Sequence, residues 1–183
     1  MAYSPGPVYY QGADLVLEDI GAPRTRETVN AVVAWEIHEW GTSYLATTLN
    51  PMATSLVAQG ARGRCRLPDG RMTSEPCYDT IADGAAACAK TLLGNKTYAP
   101  IVQALRAGDV GKLFGPSCRY AFAVWGGGYG SPSYGYQAAV YAIYRQLPPP
   151  PARYLGQGTE ASTTTLVIVG SLLFAVLVLS ATD

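Results

Sequence analysis

Eight consecutive residues, Ala34-Trp35-Glu36-Ile37-His38-Glu39-Trp40-Gly41, gather two carboxylates, the single histidine and two of the three tryptophans of a 183-residue chain. His38-Glu39 begins like the H-E-x-x-H pattern, in which two histidines one helical turn apart grip zinc. Position 42 is Thr, so no metal site is expected there. On a helical wheel His38 points away from the face formed by Val29, Val33 and Trp40, toward solvent, and so is not expected to serve a nucleophile. The glutamates are placed differently. Glu36 falls near the middle of the apolar stripe, and Glu39 at its border beside Val32 and Trp35, in the last turn before Gly41. A carboxyl withdrawn from water, against a tryptophan and near the negative end of a helix dipole, is shifted toward its protonated form. A general acid for glycosidic cleavage near neutral pH needs that shift. Glu39 is therefore the candidate catalytic acid and Glu36 the alternative.

These residues need a rigid element to hold them. Val29, Val32, Val33, Ile37 and Trp40 recur at helical spacing, with Thr25 placed as N-cap and Gly41 as stop, which predicts a first helix. A second is expected after Asp83-Gly84 through to Gly94, and a third from Ile101 to Leu105, ending at Gly108. The connection over residues 42–80 is polar and long, a length more often functional than decorative. It holds Cys65 and Cys77, which bracket a short loop; with Cys88 and Cys118 the count is even and lacks the paired spacing of a zinc site. Cys65–Cys77 and Cys88–Cys118 are one of three possible disulfide pairings, and four free thiols are the other reading.

The order NAVVAWEIHEWG, NPMATS, CYDTIADGAAACAKTLLGNKTYAPIVQALRAGD resembles the lysozyme-like domains of phages of actinobacteria, similar in pattern to soluble lytic transglycosylases and goose-type lysozymes. The resemblance covers roughly residues 21–109. Ala34, Trp35 and Glu39 match the element that ends the catalytic helix; Asn50, Pro51, Ala53 and Thr54 match the next; Tyr78 and Gly84 match a third; Thr91, Leu92, Tyr98, Ile101 and Leu105 match the last. It implies a mainly α, lysozyme-like domain in which Glu39 protonates the oxygen between N-acetylmuramic acid and N-acetylglucosamine, with Thr54 and Tyr78 orienting the sugar or the attacking group. Three departures stand out: Trp40 separates Glu39 from Gly41, Met52 and Ser55 replace the usual Leu and Thr, and a cysteine-flanked loop replaces a shorter element. A hydrolase also wants a second carboxylate near the sugar. Asp69, Glu75, Asp79 and Asp83 are the candidates, none singled out by spacing; a transglycosylase would manage with one glutamate.

The flanks read differently. Leu166 to Ala181 contains no charge, and with the preceding threonines predicts a single C-terminal membrane-spanning helix over residues 164–181. The first 20 residues read as a separate segment without the basic and apolar regions of a secretory signal. Residues 124–163, rich in Gly, Tyr and Pro, read as a tether containing a helix near Gln137–Gln146 and a stiff spacer at the four prolines 148–151. Lys and Arg number 13, as do Asp and Glu, so no basic patch for nucleic acid is expected. Together these give an expectation: a virion-associated protein, anchored in an internal viral membrane or at a tail tip, that opens peptidoglycan for genome entry, with peptidoglycan, lipid bilayer and other virion proteins as partners and no cofactor. The alternative is a catalytically inactive structural or wall-binding virion membrane protein.

Overall fold

The computed structural model describes residues 3–128, 130 and 132–156. Its elements in chain order are α1 (Pro7–Asp19), α2 (Arg26–Trp40), α3 (Leu45–Thr48), β1 (Ala61–Gly63), β2 (Cys77–Tyr78), α4 (Ile81–Gly94), α5 (Ala99–Arg106), α6 (Val110–Leu113), α7 (Arg119–Gly127) and α8 (Tyr136–Tyr144). The fold is mainly α, and the two strands form a small antiparallel ribbon.

The helix expected to carry the glutamates is α2, and its ends are where the sequence places them. Thr25 and Thr28 cap each other reciprocally: the Thr28 N–H donates to the Thr25 hydroxyl at 3.2 Å, and the Thr25 N–H donates to Thr28 Oγ1 at 3.0 Å. The hydroxyls thus satisfy donors that a helix start leaves open. At the other end Gly41 adopts φ +62°, a left-handed conformation that costs glycine nothing, and its N–H bonds back to Ile37 O at 2.7 Å.

The middle of α2 departs from the expected amphipathic pattern, for every residue from Thr28 to Ile37 is buried. The reason lies in the flanks. Residues 7–19, read as a separate segment, form α1, which packs against α2 and α4 and buries Tyr9, Ala13, Val16 and Leu17 in the common core. The described part of the expected tether is also part of this core. α8 packs along α2, and the chain then runs back across the molecule. There Asn30 Nδ2 donates to Pro148 O at 3.0 Å, and the Tyr154 ring stacks on Tyr10 at 5.5 Å. α2 is therefore a central helix enclosed from more than one side, and α8 covers much of the face that periodicity assigned to water.

α4 begins earlier than expected, at Ile81, because the Thr80 hydroxyl accepts from the Asp83 N–H at 3.1 Å and caps it. Cys65 and Cys77 form a disulfide, one of the two expected pairings. The second pairing does not form: Cys88 and Cys118 are free and buried. Cys88 is occupied in the interior, with the Met52 N–H donating to its sulfur at 3.4 Å and its thiol facing Asn50 Oδ1 at 3.5 Å. Among the described residues no helix is long and apolar enough to cross a membrane, and the expected span at 164–181 lies outside them.

α4 makes one contact without slack. A Cβ on Gly84 would stand 1.8 Å from the Leu49 carbonyl oxygen, so only glycine lets the helix approach this turn. Gly84→Ala is expected to cost on the order of 3 kcal/mol, since backbone cannot swing aside as a side chain can. Urea unfolding should give a lower midpoint than that of Ala86→Gly, a change at a neighbouring site on the same helix.

Candidate active site

Glu39 projects from the last turn of α2 into a cleft of about 380 Å³. One part of the lining is Glu39, Trp40, Gly41, Tyr44 and Ala53, and the other comes from the disulfide-bracketed loop through Leu67 and residues 71–75. The volume lies within the range of about 300–1,000 Å³ usual for small-ligand sites.

Aromatic packing keeps water from the Glu39 side of the cleft. Trp35 meets Trp125 edge-on at 5.0 Å and Phe122 at 4.6 Å, and Tyr98 meets Trp125 at 5.2 Å. Tyr136, from α8, reaches the carboxylate: Trp35 Nε1 donates to the Tyr136 hydroxyl at 2.8 Å, and that hydroxyl donates to Glu39 Oε1. Burial is the main force on Glu39 and pushes its pKa up to about 7. The Tyr136 hydrogen bond opposes this, and the negative charge of Glu75 adds to it; the indoles of Trp125 and Trp35 pull weakly the other way. A carboxyl held at about 7 rather than near 4.5 works against folding at neutral pH by roughly 3 kcal/mol, the kind of local cost that active sites carry.

Glu36, the alternative acid, is placed elsewhere. It is fully buried, neither oxygen has a hydrogen-bond partner among the described residues, and it faces Gly12 of α1, where a Cβ would come within 2.7 Å of Oε1. Burial raises its pKa well above the usual carboxylate range, and it does not line the cleft. It is a neutral core carboxyl without access to substrate. His38 is half-buried rather than solvated, because α8 covers it: its ring stands edge-on to Tyr136 at 4.5 Å, and burial lowers its pKa.

Thr54 and Tyr78, expected to orient a sugar, are buried and do not line the cleft. The Thr54 hydroxyl pairs with that of Thr91 at 2.6 Å, and the Tyr78 hydroxyl donates to Leu56 O. Both hold the 50–56 segment against α4 and β2. Of the four candidate second carboxylates, only Glu75 lines the cleft. Asp69 is held by Arg71 at 2.7 Å and by the Tyr44 hydroxyl at 2.8 Å, which keeps its pKa low. Asp79 pairs with Arg62 at 3.5 Å, and Asp83 accepts from the Thr80 hydroxyl at 2.6 Å. Among the described residues no group of three or more His, Cys, Asp or Glu is placed to hold a metal ion.

The chain matches no family model, no curated protein and no solved structure.

The residues that sequence reasoning passed over explain that geometry. Tyr136 lay in a stretch read as tether, and its signal was the spacing Tyr136, Val140, Ile143, the buried face of α8. Asn50 entered only as part of a resembling motif. It is wholly buried and gives its amide to Thr54 O and Pro76 O, both at 2.9 Å, while its own carbonyl accepts from Trp40 Nε1 at 2.6 Å. It therefore joins the residue after Glu39 to the residue after Glu75. Leu49 and Ala53, on either side, have φ of 50° and 53°, a left-handed conformation costly for residues with a Cβ and kept only where surroundings enforce it.

Two outcomes follow from the opposite placements of the glutamates. Because the folded pKa of Glu36 is raised, its neutral form stabilises the fold fully below about pH 4.5, and that contribution is lost as pH rises toward the folded value. Glu36→Gln should flatten the decline of unfolding free energy between pH 5 and pH 8, measured by urea titration; an unchanged slope would contradict the burial. At the other carboxyl, Tyr136→Phe removes a hydrogen bond that favours the charged form, so the Glu39 titration followed by carbon-13 NMR should move above about 7.

Proposed function

We propose that the protein is a peptidoglycan-cleaving glycosidase, a muramidase or lytic transglycosylase, with Glu39 as its general acid. The observation that carries this reading is a carboxyl with a pKa of about 7 beside a cleft that a sugar can enter. At neutral pH such a group is protonated in a large fraction of molecules and yet acidic enough to give the proton up, the balance that general acid catalysis favours. The proton passes to the oxygen linking N-acetylmuramic acid to N-acetylglucosamine, and the resulting charge on Glu39 is met by the Tyr136 hydroxyl. Trp35 fixes that hydroxyl through its indole N–H, so the donor is already aimed when charge develops.

The resemblance of residues 21–109 to phage lysozyme-like domains supports the choice of peptidoglycan, and the apolar tail at 164–181 supports membrane attachment. In this reading the protein is carried in a virion, in an internal membrane or at a tail tip, and opens the host wall for genome entry. Its partners are peptidoglycan, lipid bilayer and other virion proteins.

The full chain in mild detergent, incubated with purified sacculi, should release soluble muropeptides. Release should fall as pH rises through about 7, and Glu39→Gln should lower it by 100-fold or more. Sedimentation with the walls but no release replaces this reading with a wall-binding structural subunit, and equal release from Glu39→Gln removes Glu39 from the role of general acid.

A further inference from the structure

We infer that Glu75 is the second acid–base group of this cleft, the base that takes a proton from a water molecule while that water attacks the anomeric carbon of the sugar. This rests on the glycosidase reading above and goes beyond it, because it assigns the reaction as hydrolysis by single displacement.

Three observations carry it. Among the described residues Glu75 is the only carboxylate besides Glu39 in the lining of the cleft, and the two come from different segments, the end of α2 and the disulfide-bracketed loop. The other acidic residues of the region are engaged elsewhere: Asp69 with Arg71 and Tyr44, Asp79 with Arg62, Asp83 with Thr80. Glu75 is also held in place. The Ser74 hydroxyl donates to its Oε2, Asn50 grips the Pro76 carbonyl, Cys77 is tied to Cys65, and the buried Thr73 accepts from the Cys65 N–H at 3.0 Å. A loop with that many restraints on either side of one glutamate fixes its position as a helix would.

The environments of the two groups divide the labour. Glu39 is sheltered by tryptophans and holds a proton, whereas Glu75 is half-buried on the solvated side, where water reaches it. A sheltered carboxyl that keeps its proton takes the role of acid and leaves that of base to a partner which water can reach. The charge of Glu75 raises Glu39, so the two groups sense each other across the cleft. In the step itself the water oxygen forms a bond to the anomeric carbon, and its proton goes to Glu75. The bond from that carbon to the glycosidic oxygen breaks, the electron pair stays on the departing oxygen, and Glu39 protonates it. One water is consumed, and Glu75 returns a proton to Glu39 through solvent. The product carries a free reducing end of inverted configuration rather than an anhydro ring.

The test uses the full chain on purified sacculi, with products followed by mass spectrometry and proton NMR. Wild type should yield reducing muropeptides of inverted configuration. Glu75→Gln should fold with an unchanged thermal midpoint, release 100-fold less, and lose activity at lower pH than wild type, because the charge that raises Glu39 is gone. A neighbouring charge that takes no proton would move that limb without lowering the rate on its acid side. Sodium azide, an anion that needs no base, should restore turnover in Glu75→Ala and give a glycosyl azide. Anhydro products from wild type, or Glu75→Gln with the wild-type rate on the acid side of its pH profile, overturn this inference and leave the glycosidase reading standing. A wild type that releases nothing overturns that reading and this inference with it.

Discussion

One buried amide holds the two sides of the cleft in register. Asn50 receives the Trp40 indole through its backbone carbonyl and grips the Pro76 carbonyl through its side chain, while its Oδ1 accepts from Thr54 N at 3.0 Å. Trp40 follows Glu39 and Pro76 precedes Cys77, so the end of a helix and the end of a loop are referred to a single point. Such an amide in a dry interior tolerates little change, for any donor left without a partner there costs more than the bond itself contributes in water. The left-handed backbone at Leu49 and Ala53 follows from the same demand. The turn must bend sharply enough to present three polar atoms of one residue to three different parts of the chain.

Around that fixed point the fold separates wet from dry. The carboxyl at the end of α2 stands against aromatic rings on one side and an open cleft on the other. Its neighbour three residues earlier is enclosed on every side and has lost any use for its charge. Two glutamates nearly one helical turn apart thus take different fates because α1 closes over one, whereas α7 and α8 shelter the other on one side and leave it open to the cleft. The energetic penalty of both burials is borne by the rest of the core, in which Val16, Leu17, Val29, Val33, Ile101, Leu105 and Phe122 are almost or wholly removed from water.

The sequence made a good part of this legible. Thr25 and Gly41 bound α2 by local rules of capping and handedness, which need no knowledge of the rest of the chain. The position of Glu36 and Glu39 on the wheel foretold which would be buried and which would sit at an edge. The role of the flanks was hidden because composition dominated the reading. Gly, Tyr and Pro suggested a spacer, yet Tyr136 is buried in the core, Tyr154 stacks on Tyr10, and the Pro148 carbonyl accepts from Asn30 of α2. Tyr136 lies 97 residues from Glu39, and no local rule connects them. Thr54 and Tyr78 were expected at a sugar because they match motifs of the resembling domains; their hydrogen bonds are spent internally on Thr91 and Leu56. Glu75 could not be told from Asp69, Asp79 and Asp83 by spacing, since what distinguishes it is the engagement of the other three.

The Cys65–Cys77 bridge, with a separation of 12 residues, removes roughly 3 kcal/mol of freedom from the unfolded loop. Half of the cleft is therefore assembled by oxidation rather than by folding alone. Where thiols are kept reduced that wall of the cleft loses its covalent tie, so how firmly it stands opposite the end of α2 depends on the redox state of its surroundings.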